Sequence, residues 1–208
     1  MKNNFFKRII SILTLAPIFI FFIFKGGYFF NFLLFCLFTL FIFEIFKLKK
    51  GYTKLLCILI ISVFLFSFYK LRKISDGMEI IFLLIFITWL SDIGGYLFGK
   101  LIGGKKISFV SPNKTLSGFC GSIILVQFNL FYIEYSKINL FPSIYIHIVF
   151  LFLSTLIVIF GDLFFSYIKR LNKIKDYSNL IPGHGGLLDR LDGFIFLIII
   201  FYGVNFIL

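Results

Sequence analysis

The sequence predicts an all-α protein, a polytopic integral membrane bundle of about seven transmembrane helices. Hydrophobic residues make up 60% of the 208 positions, and the mean hydropathy is +1.05. Both values exceed what a soluble core of this size requires. The apolar residues fall in long runs separated by short basic segments. We therefore expect a single membrane domain over residues 1–208, without a repeat, a linker or a second domain.

Seven apolar runs approach the ~20 residues that a helix needs to cross a bilayer. The first run follows a basic N-terminus, as in a signal peptide. No small-residue cleavage pattern comes after it, and Lys25-Gly26-Gly27 leads directly into the next run. We interpret it as a retained helix. The predicted spans are residues 9–24, 28–46, 54–69, 79–98, 116–134, 144–161 and 194–208.

The charge pattern predicts the orientation of these spans. A net charge of +12 is compatible with nucleic-acid binding. The basic residues nevertheless cluster in short loops between spans, where they set topology and contact anionic membrane lipid. We therefore predict no nucleic-acid partner and a multi-pass protein of the cell inner membrane, with the N-terminus inside and the C-terminus outside. The inner loops are then 47–54, 99–115 and 162–193, and one outer cluster is an exception to the rule: Lys70, Arg72 and Lys73.

The most polar stretch runs from Gly161 to Gly193, between the last two predicted spans. It carries four of the nine carboxylates in the chain: Asp162, Asp176, Asp189 and Asp192. If a helix begins at Asp162, one of its faces presents an anion, a hydroxyl and two cations. These are Asp162, Ser166, Lys169 and Lys173.

The end of this stretch combines paired carboxylates with a bare backbone turn. Asp189 and Asp192 share a face if the last helix starts near Leu187, and paired carboxylates suit Mg²⁺ completed by substrate phosphates. The glycines of the preceding PGHGG turn, residues 182–186, let backbone N–H groups approach a ligand. The helix N-terminus beyond it is a natural site for an oxyanion. This combination indicates phosphoryl or nucleotidyl transfer, with the active site facing the cytoplasm.

At this point the residues resemble a known signature, that of the phosphatidate cytidylyltransferase (CDP-diacylglycerol synthase) family. Spacing and residue types agree over about 27 positions. One departure is Gly193, where the family usually has Ser. The matching elements are Ser166-x-x-Lys169-Arg170, Lys175-Asp176, Pro182-Gly183-His184-Gly185-Gly186 and Leu188-Asp189-Arg190-x-Asp192.

A second region, from Trp89 to Gly121, points the same way. Asp92 lies near the end of a predicted span, and an intramembrane carboxylate is a functional hypothesis by default. The turn from Ser111 to Thr115 starts a helix, and Lys114 in it opposes the helix dipole, so we expect a bound anion there.

This second region also resembles the family, which carries an Asp followed by small residues, a Ser-Pro-x-Lys-Thr turn and a Gly-x-x-Gly. Gly118 and Gly121 match the last motif. Ser117 departs from the family, which usually has Glu at this position. The family also has an acidic residue near the position of Glu44.

The resemblance implies the reaction. CTP and phosphatidate would give CDP-diacylglycerol and pyrophosphate, without a protein nucleophile, because the lipid phosphate attacks the α-phosphorus of CTP. It also implies a homodimer, and Mg²⁺ with a monovalent cation such as K⁺ beside it.

The same resemblance suggests roles for individual residues. We expect the metal ligands to be Asp162, Asp189 and Asp192. The expected catalytic residues are these three with Lys169, Arg170, His184 and Arg190; His184 either donates to a phosphate oxygen or transfers a proton. The expected substrate-binding residues are Asp92, Ser111, Lys114, Thr115, Ser166, Lys175, Asp176, Gly185 and Gly186.

Two alternatives remain at the sequence level. A transferase that uses CTP on another membrane lipid would keep the signature. A small membrane transporter would place charges along its spans and repeat broken helices between its halves. Here the charges cluster in loops instead.

Overall fold

The structure is a computed structural model that describes residues 2–107, 111, 114–138, 140–181 and 185–207. Within these residues it contains two isolated β-bridges and no strand, which confirms the all-α prediction. The described helices are α1 (Lys2–Lys25), α2 (Gly27–Phe46), α3 (Gly51–Arg72), α4 (Gly77–Leu101), α5 (Leu116–Val126), α6 (Asn129–Ser136), α7 (Ile144–Leu171) and α8 (Leu188–Ile207).

Several of these helices are long and apolar enough to cross a membrane, which confirms a multi-pass bundle. α1 adds a shorter apolar segment, Thr14–Lys25, and α8 is a further apolar helix of 20 residues. Within the described residues, six predicted spans therefore each lie on one helix, and the fifth lies on two. The long segments are Gly27–Phe46, Gly51–Arg72, Gly77–Leu101, Leu116–Ser136 and Ile144–Leu171.

The fifth predicted span consists of two helices, α5 and α6, instead of one. Asn129 is buried, and its side-chain amide donates to the carbonyl of Val126 at 2.9 Å. Such a local side-chain bond competes with the helical hydrogen bonds of the backbone, so the α5–α6 break coincides with this residue.

α7 is longer than predicted and changes the interpretation of its polar end. It continues to Leu171, so Asp162 lies inside the helix and does not open one. Ser166 does share a face with Asp162, since its Oγ donates to Asp162 Oδ1 at 3.3 Å. Lys173 was wrongly placed on this face, because it lies beyond the helix end with a φ of 55°. α8 begins at Leu188, close to the predicted start.

Glycines bring the helices that carry the polar residues into close contact. A Cβ on Gly94 of α4 would lie 2.5 Å from the carbonyl oxygen of Gly121 on α5. A Cβ on Gly161 of α7 would lie 2.8 Å from the carbonyl oxygen of Asp192 on α8. Only residues without a side chain allow backbones to approach this closely. The polar ends of α4, α5, α7 and α8 therefore meet at one end of the bundle.

Asn172 ties the α2–α3 loop to this same end. Its Oδ1 accepts from the backbone N–H groups of Lys49 and Lys50, at 3.0 and 2.9 Å, and its Nδ2 donates to the carbonyl of Ile168 at 2.9 Å. The side chain is almost fully buried, so these bonds replace the water that its amide would otherwise contact. Two of the predicted inner loops, 47–54 and 162–193, thus lie together.

Arg72 accounts for part of the outer basic cluster. Its Nε donates to the carbonyl of Ile23 at 3.0 Å, where α1 ends. Basic side chains at a helix C-terminus satisfy carbonyls that have no intrahelical partner. The outer basic cluster, which departs from the rule that basic residues lie in inner loops, therefore includes a residue with a structural function.

Candidate active site

A cavity opens between α4, α5 and α7 at the polar end of the bundle. We call it the Lys114 cavity, because the ammonium group of Lys114 lies in its lining. Lys114 Nζ lies 2.5 Å from Asp162 Oδ2, and both side chains are partly exposed, at 26% and 32%. An ion pair that solvent reaches contributes little to stability, so Lys114 can exchange this partner for a ligand at small cost. The polar lining includes Asp92, Lys114, Thr115 and Asp162.

α8 brings further charges to this region. The charge of Asp192 interacts with those of Asp162 and Asp92, and the charge of Asp92 interacts with those of Lys114 and Arg190. The charges of residues from three helices and from the segment before α5 therefore influence one another. Carboxylates held this close repel one another, and nearby cations relieve that repulsion.

Asp189 points to different partners, although it lies only three residues before Asp192. Its Oδ1 accepts from Lys169 Nζ at 2.6 Å, and its Oδ2 accepts from the backbone N–H groups of Tyr177 and Gly186, both at 2.9 Å. The side chains of the ion pair are 11% and 5% exposed. We call these four residues the Asp189 cluster. It fastens the loop between α7 and α8 to α7.

Tyr177 completes this buried cluster. Its ring centroid lies 5.7 Å from Lys169 Nζ, and its hydroxyl donates to the carbonyl of Phe165 at 3.2 Å. Burial is the main cause that raises the pKa of Tyr177, and nearby anionic groups add to it. The hydroxyl therefore remains a neutral donor at physiological pH.

The predicted metal ligands do not form one group. Within the described parts of the chain, no three His, Cys, Asp or Glu side chains lie where they could hold a metal ion. Asp189 is engaged by protein donors, whereas Asp162 and Asp192 lie where α7 and α8 touch, since a Cβ on Gly161 would lie 2.8 Å from the carbonyl oxygen of Asp192. Carboxylates are ligands that Mg²⁺ prefers, and one or two suffice when phosphates complete the coordination shell. The donor chemistry of Asp162 and Asp192 thus fits Mg²⁺, and the metal itself stays a prediction.

Glu44 is the residue whose importance the sequence pattern did not reveal. It is fully buried in α2. Its Oε1 accepts from Ser178 Oγ at 2.6 Å and from the N–H of Leu187 at 2.7 Å, and its Oε2 accepts from the N–H of Leu188 at 2.8 Å. A single carboxylate in an otherwise uncharged apolar run was the available signal.

At the described end of the turn before α8, the N–H groups expected to approach a ligand have protein acceptors instead. The N–H groups of Leu187 and Leu188 are occupied by Glu44, and that of Gly186 is occupied by Asp189. The helix N-terminus does attract an anion, but the anion belongs to the protein. Pro182, Gly183 and His184 lie outside the described residues, so the role of His184 stays a prediction.

The described residues of the turn before α5 also form hydrogen bonds within the protein. Thr115 caps the helix, since its side chain accepts from the N–H of Gly118 at 3.2 Å. The carbonyl of Ser111 accepts from the N–H of Lys114 at 3.1 Å. Ser117, which departs from the family pattern, donates to the carbonyl of Gly103. These bonds hold Lys114 at the mouth of the cavity.

Four further predicted residues lie at the end of α7 and in the α7–α8 loop. Arg170, Lys175 and Asp176 are exposed, and Arg170 Nη1 donates to the carbonyl of Ile174 at 3.5 Å. Gly185 has a φ of 88°, which favours glycine, and its carbonyl accepts from the N–H of Ile181 at 2.9 Å. Their predicted contacts with substrate stay predictions.

Comparison with known proteins identifies relatives. The model of the cytidylyltransferase family matches residues 47–208. A protein of Staphylococcus haemolyticus named phosphatidate cytidylyltransferase is 38% identical over 136 residues, covering 63% of this chain and 50% of that protein. A protein of Helicobacter pylori with the same name is 37% identical over 131 residues, covering 63% of this chain and 48% of that protein. The chain thus spans about half the length of the curated relatives that it matches.

Proposed function

Because the chain belongs to the cytidylyltransferase family, we propose that it transfers CMP from CTP to phosphatidate. The family match confirms the resemblance drawn from the sequence. The names of the relatives support phosphatidate as acceptor. The structural observation that carries the proposal is the Lys114–Asp162 pair in the lining of a cavity, with the charge of Asp192 acting on that of Asp162.

The reaction joins a phosphate oxygen of phosphatidate to the α-phosphorus of CTP. The bond between the α-phosphorus and its bridging oxygen to the β-phosphate breaks, and pyrophosphate leaves with that oxygen. Both substrates are anionic, so the protein must reduce their repulsion and hold them in line. None of these requirements calls for a protein nucleophile.

Lys114 and Arg190 supply the positive charge in this proposal. Lys114 leaves Asp162 and contacts a phosphate of CTP, since its ion pair is accessible from the cavity. The cavity measures about 220 Å³, whereas sites that enclose a whole small ligand usually measure about 300–1,000 Å³. We therefore assign it to the phosphate region of the substrates and leave the cytosine unassigned.

Asp162 and Asp192 are the residues that would hold Mg²⁺. When bound, the ion would neutralise phosphate charge in the ground state and in the transition state. Asp92 would then add negative charge near the site, and Arg190 would offset it. A monovalent cation remains part of the proposal, without an assigned ligand set.

We also propose that the Lys114 cavity faces the cytoplasm and that the protein is a homodimer. The cytoplasmic orientation rests on the basic loops, which Asn172 gathers at the polar end of the bundle. The dimer rests on the family resemblance.

A pyrophosphate-release assay on purified protein in detergent tests the function. CTP, ATP, GTP and UTP are each supplied with Mg²⁺, with and without phosphatidate, and Asp192→Asn serves as the matched variant. We expect release only with CTP and phosphatidate together, and a strong loss in the variant. Release with another lipid in place of phosphatidate would support a different acceptor, and the absence of release under all conditions would refute the proposal.

A further inference from the structure

We propose that Glu44 is a positioning residue for the active site. It fixes the start of α8 and thereby sets the positions of Arg190 and Asp192. The inference rests on the proposed function, which assigns roles to those two residues, but its structural part can be measured independently.

The carboxylate of Glu44 is the acceptor in all three of its hydrogen bonds. Ser178 Oγ has one hydrogen to give, and the same oxygen accepts from the N–H of Leu180 at 3.2 Å, which directs that hydrogen to Glu44. The other donors are backbone N–H groups of Leu187 and Leu188. A carboxylate that only accepts satisfies all three, and charge-assisted bonds of this kind are about twice as strong as neutral ones.

The carboxylate of Glu44 stabilises the start of α8 more strongly because it lies at the N-terminus of this helix. The first N–H groups of a helix have no partner inside the helix, and the helix dipole favours an anion there. Burying a carboxylate without such partners would be very costly. Glu44 and the end of α8 therefore stabilise each other, and neither can move far alone.

Gly186 lies against the same carboxylate. A Cβ at position 186 would lie 2.6 Å from Glu44 Oε1, which is closer than packed atoms allow. Gly186 does not have a positive φ, so backbone conformation does not explain the glycine. A side chain at this position would displace the carboxylate of Glu44.

The residues that contact Glu44 lie about one helical turn from the proposed active-site residues of α8. Leu187 and Leu188 precede Arg190 and Asp192 in the chain by only a few residues, and an α-helix turns once in about 3.6 residues. A shift of the helix start thus moves both side chains relative to the Lys114 cavity. Glu44 itself belongs to α2.

The test compares Glu44→Gln with Glu134→Gln, which changes an exposed carboxylate on α6. Glu44→Gln replaces one carboxylate oxygen by an NH₂ group. At least one N–H or hydroxyl that now donates to Glu44 would then face another donor. Three quantities are measured on purified folded protein: kcat and KM for CTP, hydrogen exchange of peptides that contain Leu187 and Leu188, and the melting temperature. A displacement of about 1 Å can reduce a rate by about 100-fold.

We expect Glu44→Gln to lower kcat by about 10- to 100-fold, with KM for CTP changed by less than about threefold. Exchange should increase at the start of α8 and not in peptides of α4. Glu134→Gln should match the wild type in all three measurements. Ser178→Ala removes a single donor and should produce a smaller loss of kcat in the same direction, which keeps the test open if Glu44→Gln does not fold.

Three results would overturn the inference. One is unchanged exchange at the start of α8 in Glu44→Gln and Ser178→Ala. Another is increased local exchange with wild-type kcat, and the third is a general loss of protection with normal kcat per folded molecule. If the wild type releases no pyrophosphate, the proposed function fails, while the exchange measurement still decides whether Glu44 holds the helix start.

Discussion

Replacing Asp189 by Asn should destabilise the protein, because Asp189 holds structure in the α7–α8 loop. The change leaves the ammonium group of Lys169 buried without its carboxylate. Removing one partner of a buried ion pair typically costs about 3–5 kcal/mol. The backbone N–H groups of Tyr177 and Gly186 both donate to Oδ2, and the Asn oxygen in that place can accept from both, so no cost is added for these bonds.

The assay is thermal unfolding in detergent, followed by intrinsic fluorescence. At roughly 2–4 °C per kcal/mol for a chain of this size, the melting temperature should fall by about 6–20 °C. Asp76→Asn, a change at an exposed carboxylate on the opposite side of the bundle, should leave it unchanged. Lys169→Met combined with Asp189→Asn should recover part of the loss, because no unpaired charge remains.

The same experiment separates this role from metal binding. If Asp189→Asn keeps the wild-type melting temperature and requires more Mg²⁺ for activity, then Asp189 is a metal ligand and the argument from the Asp189 cluster is wrong. Asp192→Asn should behave in the opposite way, with a small change in melting temperature and a loss of kcat of at least ~100-fold.

Three further predictions address other parts of the molecule. Lys114→Ala should raise KM for CTP more than KM for phosphatidate, as measured by steady-state kinetics; equal effects would assign Lys114 to the fold or to the catalytic step. Asn172→Ala should lower the free energy of unfolding by about 1–3 kcal/mol, because the part-buried hydrogen bonds from the N–H groups of Lys49 and Lys50 to its side chain are lost; an unchanged melting temperature would contradict this. Reporter fusions after Lys73 and after Leu208 should both report the outer side, and a cytoplasmic signal from the second would refute the seven-span topology.

The sequence alone was sufficient for the architecture and the family. Long apolar runs must form helices in lipid, because every backbone N–H and C=O group needs a partner inside the segment. The run lengths therefore predicted the spans, and the signature from Ser166 to Asp192 predicted the family that the comparison confirms. The start of α8 near Leu187 was also predictable, since it follows from local glycine and carboxylate spacing.

Helix ends were harder to predict where a polar residue has a distant partner. Asp162 suggested a helix start, but its partner Lys114 comes from the segment before α5. With its charge paired, Asp162 can remain inside α7 and the helix continues to Leu171. Local patterns carry no information about such a partner.

Only the tertiary structure decided which carboxylates act together. Asp189 and Asp192 share a face by spacing, yet side chains of a helix tilt toward its N-terminus. Asp189, in the first turn of α8, therefore reaches the preceding loop and Lys169, whereas Asp192, deeper in the helix, lies where α8 contacts α7 at Gly161, the neighbour of Asp162. Glu44 meets Leu187 across 143 residues of chain, a pairing that exists only because α2 and the start of α8 pack together and bury the N–H groups that need an acceptor.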